Sequence, residues 1–153
     1  MSWTVEKTLQ DLDIGLDTAY TSVLLIDDNT IDNYISENLI KQTSFARHIY
    51  TYTNGRNALE FLGNLGRIED HETFIPELIL LDINLPILDG FQFLQEFEKL
   101  PASVKDHCRI IMLTTSVNPF DLEKALNSPN VIKYLSKPLT KTDLRELYQL
   151  AVI

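Results

Sequence analysis

Cys108 is the only cysteine in this 153-residue chain. An internal disulfide is therefore excluded, and the usage fits a reducing compartment such as the cytoplasm. No apolar run approaches the roughly 20 residues that a membrane-spanning helix needs. The opening MSWTVEKTLQDLD is acidic and lacks a basic segment followed by an apolar one, so no secretory signal is expected. Positive charge is scarce: 13 Lys and Arg stand against 22 Asp and Glu, a net charge of −9. That balance disfavours direct binding to nucleic acid and suits a basic partner or a cation in an acidic pocket. No G-x-x-x-x-G-K-[ST] loop occurs, which argues against a nucleotide-binding switch.

What the chain does contain is a set of short apolar runs that end abruptly in chemistry. The central one lies in ELILLDINLPILDG, residues 77–90. Leu78 to Leu81, bounded by Pro76 and Pro86, reads as a strand buried on both faces, and it ends on Asp82. Ser22 to Ile26 is a second such strand and ends on Asp27-Asp28. Arg109 to Leu113 ends in Thr114-Thr115-Ser116, and Val131 to Ser136 ends in Lys137-Pro138. The carboxyl ends of parallel strands are where α/β sheets place ligands. If the first two strands are adjacent, three carboxylates converge there, and like charges that close repel unless a cation sits among them. An oxygen-only ligand set favours a hard cation, Mg²⁺ or Mn²⁺. Acids, hydroxyls and an amine together can hold a metal and a phosphoryl group.

Between the strands run helical patterns. Thr30 to Gln42 places Ile31, Ile35 and Leu39 on one face with Tyr34 alongside, and Asn29 or Thr30 can cap it. Phe45 to Thr53 alternates as a strand, with His48 as an edge residue. Asn54-Gly55 opens a helix with Ala58, Leu59 and Leu62 inward. Residues 63–75 form a polar loop in which His71 stands among Glu69, Asp70 and Glu72. Asp89 to about Leu100 forms a helix with Phe91, Leu94 and Phe97 inward. Asn118-Pro119 starts the next, with Phe120, Leu122, Ala125 and Leu126 as core candidates. Thr140 to Ala151 is the last, opened by a Thr140/Asp143 capping box. Alternation of this kind predicts an α/β fold: a flavodoxin-like, doubly wound, five-stranded parallel sheet, order 2-1-3-4-5, with helices on both faces. Residues 22–153 form that domain. Residues 1–21 are an extension, either a short helix through Trp3, Leu9, Leu12 and Leu16 or a tail without fixed structure.

The pieces LLIDDN (24–29), LLDINLPILDG (80–90), MLTTS (112–116) and YLSKP (134–138) together resemble the response regulator receiver domain of two-component signalling. The resemblance implies a phosphorelay protein of the stand-alone type, with no output domain, that is not a metabolic enzyme. It implies Asp82 as phosphoacceptor in a Mg²⁺-dependent reaction. It also implies Asp28 as a direct metal ligand, Asp27 acting mostly through water, and the Asn84 backbone carbonyl as a further ligand. Thr114 and Lys137 would meet the phosphoryl oxygens, Lys137-Pro138 would be a cis peptide, and Thr114 with Tyr134 would form the switch. Thr115 stands where the family usually has a smaller residue, and Pro129-Asn130 replaces the usual Gly-Ala before the last strand.

The partners so implied are a histidine kinase and a histidine phosphotransfer protein or target, or a second copy of the chain, docking on residues 118–151. Neither nucleic acid nor membrane is expected as a partner. Two other readings differ in class. A haloacid-dehalogenase-like phosphatase would need a second aspartate where Asn84 stands, and it leaves Asp27-Asp28 without a role. A docking module that works without phosphorylation would have no need of the full set of pocket residues.

Overall fold

The computed structural model describes residues 19–68, 75–115 and 118–152. The extension proposed for residues 1–21 lies almost wholly outside these, as do His71 and its acidic neighbours. Five strands form one parallel sheet: β1 (Tyr20–Ile26), β2 (Ala46–Tyr52), β3 (Leu78–Asp82), β4 (Arg109–Thr114) and β5 (Val131–Ser136), in the order β2-β1-β3-β4-β5. The intervening helices are α1 (Thr30–Gln42), α2 (Gly55–Leu65), α3 (Gly90–Phe97), the short α4 (Ala102–Lys105), α5 (Pro119–Leu126) and α6 (Lys141–Val152). The expected order and element sequence are therefore observed. The first strand starts two residues earlier than predicted, and α4 was not foreseen, because Pro101 ends one helix and leads straight into another turn.

Strand side chains alternate between faces, so the sheet has two cores. Leu24, Ile26, Ile79, Leu81, Ile110 and Met112 pack against Ala58, Leu62, Phe93, Phe97 and Ala125 from α2, α3 and α5. Val23, Leu25, Leu80, Ile111 and Leu113 pack against Ile40 of α1 and Leu144 and Leu147 of α6. The final strand breaks the alternation. Ile110 pairs with Val131 but Ile111 pairs with Lys133, so Ile132 is an extra residue in β5. A one-residue slip turns every later side chain to the opposite face. Tyr134 thereby joins the α2–α5 core and Leu135 the α1–α6 core.

Two predicted helix faces need correction. In α1 the buried residues are Asn33, Ser36 and Ile40, whereas Ile31, Tyr34 and Ile35 are exposed and Leu39 is half-buried. The inward face is polar near the helix start because it meets the charged strand ends rather than apolar core. In α5 only Ala125 is buried; Leu122 is half-buried, and Phe120 and Leu126 are exposed, since this short helix turns one small side chain fully inward. Elsewhere the patterns largely hold: Ala58, Leu62 and Phe97 are fully buried, Leu94 is 6% exposed, Phe93 is added, and Leu59 and Phe91 are half-buried against the same core. Cys108 is 2% exposed and its Sγ donates to the Pro76 carbonyl at 3.0 Å. Burial pushes the Cys108 thiol up to about 12.

Candidate functional site

Three carboxylates from two strand ends meet at the carboxyl edge of the sheet. β1 delivers Asp27 and Asp28, β3 delivers Asp82, and one oxygen from each of the three lies within 4.8 Å of the others. Asp27 and Asp82 are buried and Asp28 is exposed, which leaves the cluster one open side. The loops are shaped by the backbone. Asn29 N–H donates to Asp27 Oδ1 at 2.9 Å, and Asn29 caps α1 by accepting from Ile31 and Asp32. Asn84 N–H donates to Asp82 Oδ1 at 3.2 Å. Beyond it the chain turns tightly at Ile87, whose φ is 67° and which is 91% exposed, with Leu88 N–H donating to the Pro86 carbonyl. A β-branched residue rarely takes that conformation. The turn lets Asp89 cap α3 in a capping box with Gln92. Gly90 then packs so closely that an added Cβ would lie 2.8 Å from Ile83 Cα and 3.0 Å from the Asp82 carbonyl oxygen.

The other side of the site comes from β4 and β5. Thr114 is 1% exposed at the end of β4, and its carbonyl accepts from the Lys137 N–H at 2.7 Å. The Lys137-Pro138 peptide is cis, as expected from the resemblance. Lys137 reaches back across the cluster: its Nζ lies 2.5 Å from Asp27 Oδ2, 3.1 Å from Asp32 Oδ2 and 3.5 Å from Asp82 Oδ2. Burial raises the Asp27 carboxyl, and the Asp82 charge adds to this, while the hydrogen bonds from Lys137 and the Asn29 backbone work against it. For Lys137, burial opposes the ammonium, yet its bonds to Asp27 and Asp32 hold it above the ordinary lysine range.

Sequence reasoning placed Asp27, Asp28, Asp82, Asn84, Thr114 and Lys137 at one edge, and the structure brings them together there. It missed Asp32 and Asn33. The buried Asn33 amide donates to the carbonyls of Asp27 at 2.9 Å and Tyr52 at 3.4 Å, tying α1 to the ends of two strands. Tyr134 is half-buried on the α5 side. Burial raises its phenol; the nearby Asn118 backbone counteracts this without a geometrically good hydrogen bond to the hydroxyl. Ser116 lies outside the described residues. The donors at the acidic cluster are all oxygen, one carboxylate is open to solvent, and the set fits a hard divalent cation.

The profile of the response regulator receiver domain matches residues 23–149. The chain belongs to that family, whose members serve two-component signalling. It is 30% identical over 127 residues to response regulator Rcp1 of Synechocystis, covering 83% of each chain. A crystal structure of a two-component response regulator from Cytophaga hutchinsonii superposes with a TM-score of 0.79 at 32% identity, over 87% of this chain and 97% of that one. The phosphorylated cyanobacterial phytochrome response regulator RcpA gives a TM-score of 0.64 at 26% identity, over 86% and 89% of the two chains. The Mn²⁺-bound form of Rcp1 gives 0.63 at 29%, over 84% and 89%. Among the described residues no helix is long and apolar enough to cross a membrane.

Proposed function

We propose that this receiver domain accepts a phosphoryl group on Asp82 from the phosphohistidine of a histidine kinase. The observation that supports this is a buried carboxylate, Asp82, facing an ammonium 3.5 Å away at the one edge where the acids of β1 converge. In the transfer an Asp82 oxygen forms the new O–P bond as the N–P bond to the donor imidazole breaks. The imidazole nitrogen keeps the electron pair and picks up a proton. The protein's tasks are positioning and charge neutralisation, because an aspartate is a weak nucleophile. Asp28 and Asp82, with Asp27 through water and the Asn84 carbonyl, would hold Mg²⁺ or Mn²⁺. When bound, the cation neutralises charge between the carboxylates and the incoming phosphoryl oxygens. Lys137 and the Thr114 hydroxyl meet those oxygens. As a self-assisting phosphoacceptor the domain turns over no metabolite.

The Thr114 hydroxyl, drawn toward the phosphoryl group, leaves room that Tyr134 fills. The surface that changes is α5, β5 and α6, where Phe120 and Tyr148 are exposed, although Leu147 belongs to the core. A histidine phosphotransfer protein, a target or a second copy of the chain docks there. Incubation with acetyl phosphate and Mg²⁺ should add one phosphoryl group, detected by mass spectrometry. Asp82→Asn should abolish it. Full labelling of that variant would overturn the assignment, and loss of labelling on chelation with EDTA would support the metal's part.

A further inference from the structure

Asp32 has no role in the phosphoacceptor chemistry just described, yet it bonds to the side chain that chemistry needs. An ammonium has three N–H donors and no more. In the structure Lys137 turns toward Asp27 Oδ2 at 2.5 Å and Asp32 Oδ2 at 3.1 Å, while Asp82 Oδ2, at 3.5 Å, is an ion-pair partner beyond good hydrogen-bond length. The lysine therefore leans away from the phosphoacceptor and rests between β1 and α1.

Nothing about Asp32 is loose. It is the third residue of α1, its N–H is held by the Asn29 cap at 3.1 Å, and its neighbour Asn33 ties that turn to two strand ends. The ordinary explanation for an acid in a first helical turn is the helix dipole. That explanation asks nothing of a lysine 105 residues away in the chain, and this lysine is only 10% exposed.

We propose that Asp32 is a positioning residue for Lys137: it holds the ammonium in the resting state and competes with the phosphoryl group for it. This rests on the phosphoacceptor function above. Asp27 and Asp32 take two of the three donors, so one is left for phosphorylated Asp82, and a second contact with its phosphoryl oxygens costs the lysine one carboxylate. Asp32, whose side chain is 34% exposed, is regained by water more readily than buried Asp27. Asp32 thereby sets how much of the phosphoryl contact is spent on releasing the lysine, and hence the balance between resting and phosphorylated forms.

The test uses the full chain, wild type and Asp32→Asn, with Mg²⁺ and beryllofluoride as the phosphoryl mimic. Calorimetry should show the variant binding beryllofluoride about three- to fivefold more tightly, the scale of one partly exposed charge pair. The ¹³Cε resonance of Lys137, assigned by its disappearance in Lys137→Ala, should differ between the two proteins when unbound and coincide when both are bound. Unchanged affinity, identical unbound resonances, or bound resonances that stay apart would each overturn the inference. Wild type that binds no beryllofluoride at all would overturn the phosphoacceptor function instead, and the unbound resonances would still report on the Asp32 contact.

Discussion

α1 and α2 invite comparison, because they do the same structural job with opposite chemistry. Each follows a strand, each is capped by an asparagine side chain, Asn29 or Asn54, and they run 13 and 11 residues. α2 presents Ala58, Leu62 and Leu65 to the core and obeys helical periodicity. α1 buries Asn33 and Ser36 beside Ile40 and leaves Ile31, Tyr34 and Ile35 in solvent. The difference follows from where each helix starts. α1 begins beside Asp27, so its first turns face carbonyls and charges. α2 begins beside Leu88 and Phe93, the side chains nearest to Gly55. An apolar stripe on a helix thus identifies a core only where the sheet beneath it is apolar as well.

Substitutions can break that contrast. The largest effect is expected on the α2 side, where Phe97 of α3 is fully buried. Phe97→Ala should cost about 3–5 kcal/mol through lost burial and a cavity, read by urea unfolding. Next comes the polar face of α1. Asn33→Ala should cost about 1–3 kcal/mol, because the Asp27 and Tyr52 carbonyls lose a donor. It should also slow acetyl-phosphate labelling, since α1 is no longer tied to the end of β1. A loss of stability with labelling untouched would show that this tie serves folding alone. The smallest effect is expected at Ile31, 67% exposed: Ile31→Gln should change stability by no more than about 0.5 kcal/mol. A cost near that of a core residue would mean that the exposed stripe of α1 is covered in solution.

The strand ends were legible because each buried strand is a short apolar run that stops on a reactive group. Asp27, Asp82, Thr114 and Lys137 stand out for that reason, and the capping residues Asn54, Asn118 and Thr140 mark the helix starts in the same way. The inward face of α1 was not legible, since Asn33 and Ser36 look like solvent-facing residues until the fold turns them inward, Asn33 onto two strand carbonyls. Asp32 reads as a first-turn acid, and only the fold brings Lys137 to it. The extra residue at Ile132 is likewise silent, because one inserted residue erases the alternation it would be detected by. Phe120 and Leu126 misled in the other direction: their spacing fits a core, but Ala125 is the one residue of α5 that is buried.

The burial of Cys108 has a practical consequence. Its sulfur is sealed between Pro76 and the base of β4, and its thiol stays protonated far beyond neutral pH. Maleimides and iodoacetamides react with exposed thiolates, so the native chain offers them almost nothing. A cysteine placed at exposed Thr115 or Ile87 would be the one reactive sulfur in the molecule. A spin label or fluorophore attached there would report on the rim of the acidic cleft, with no need to remove the natural residue first.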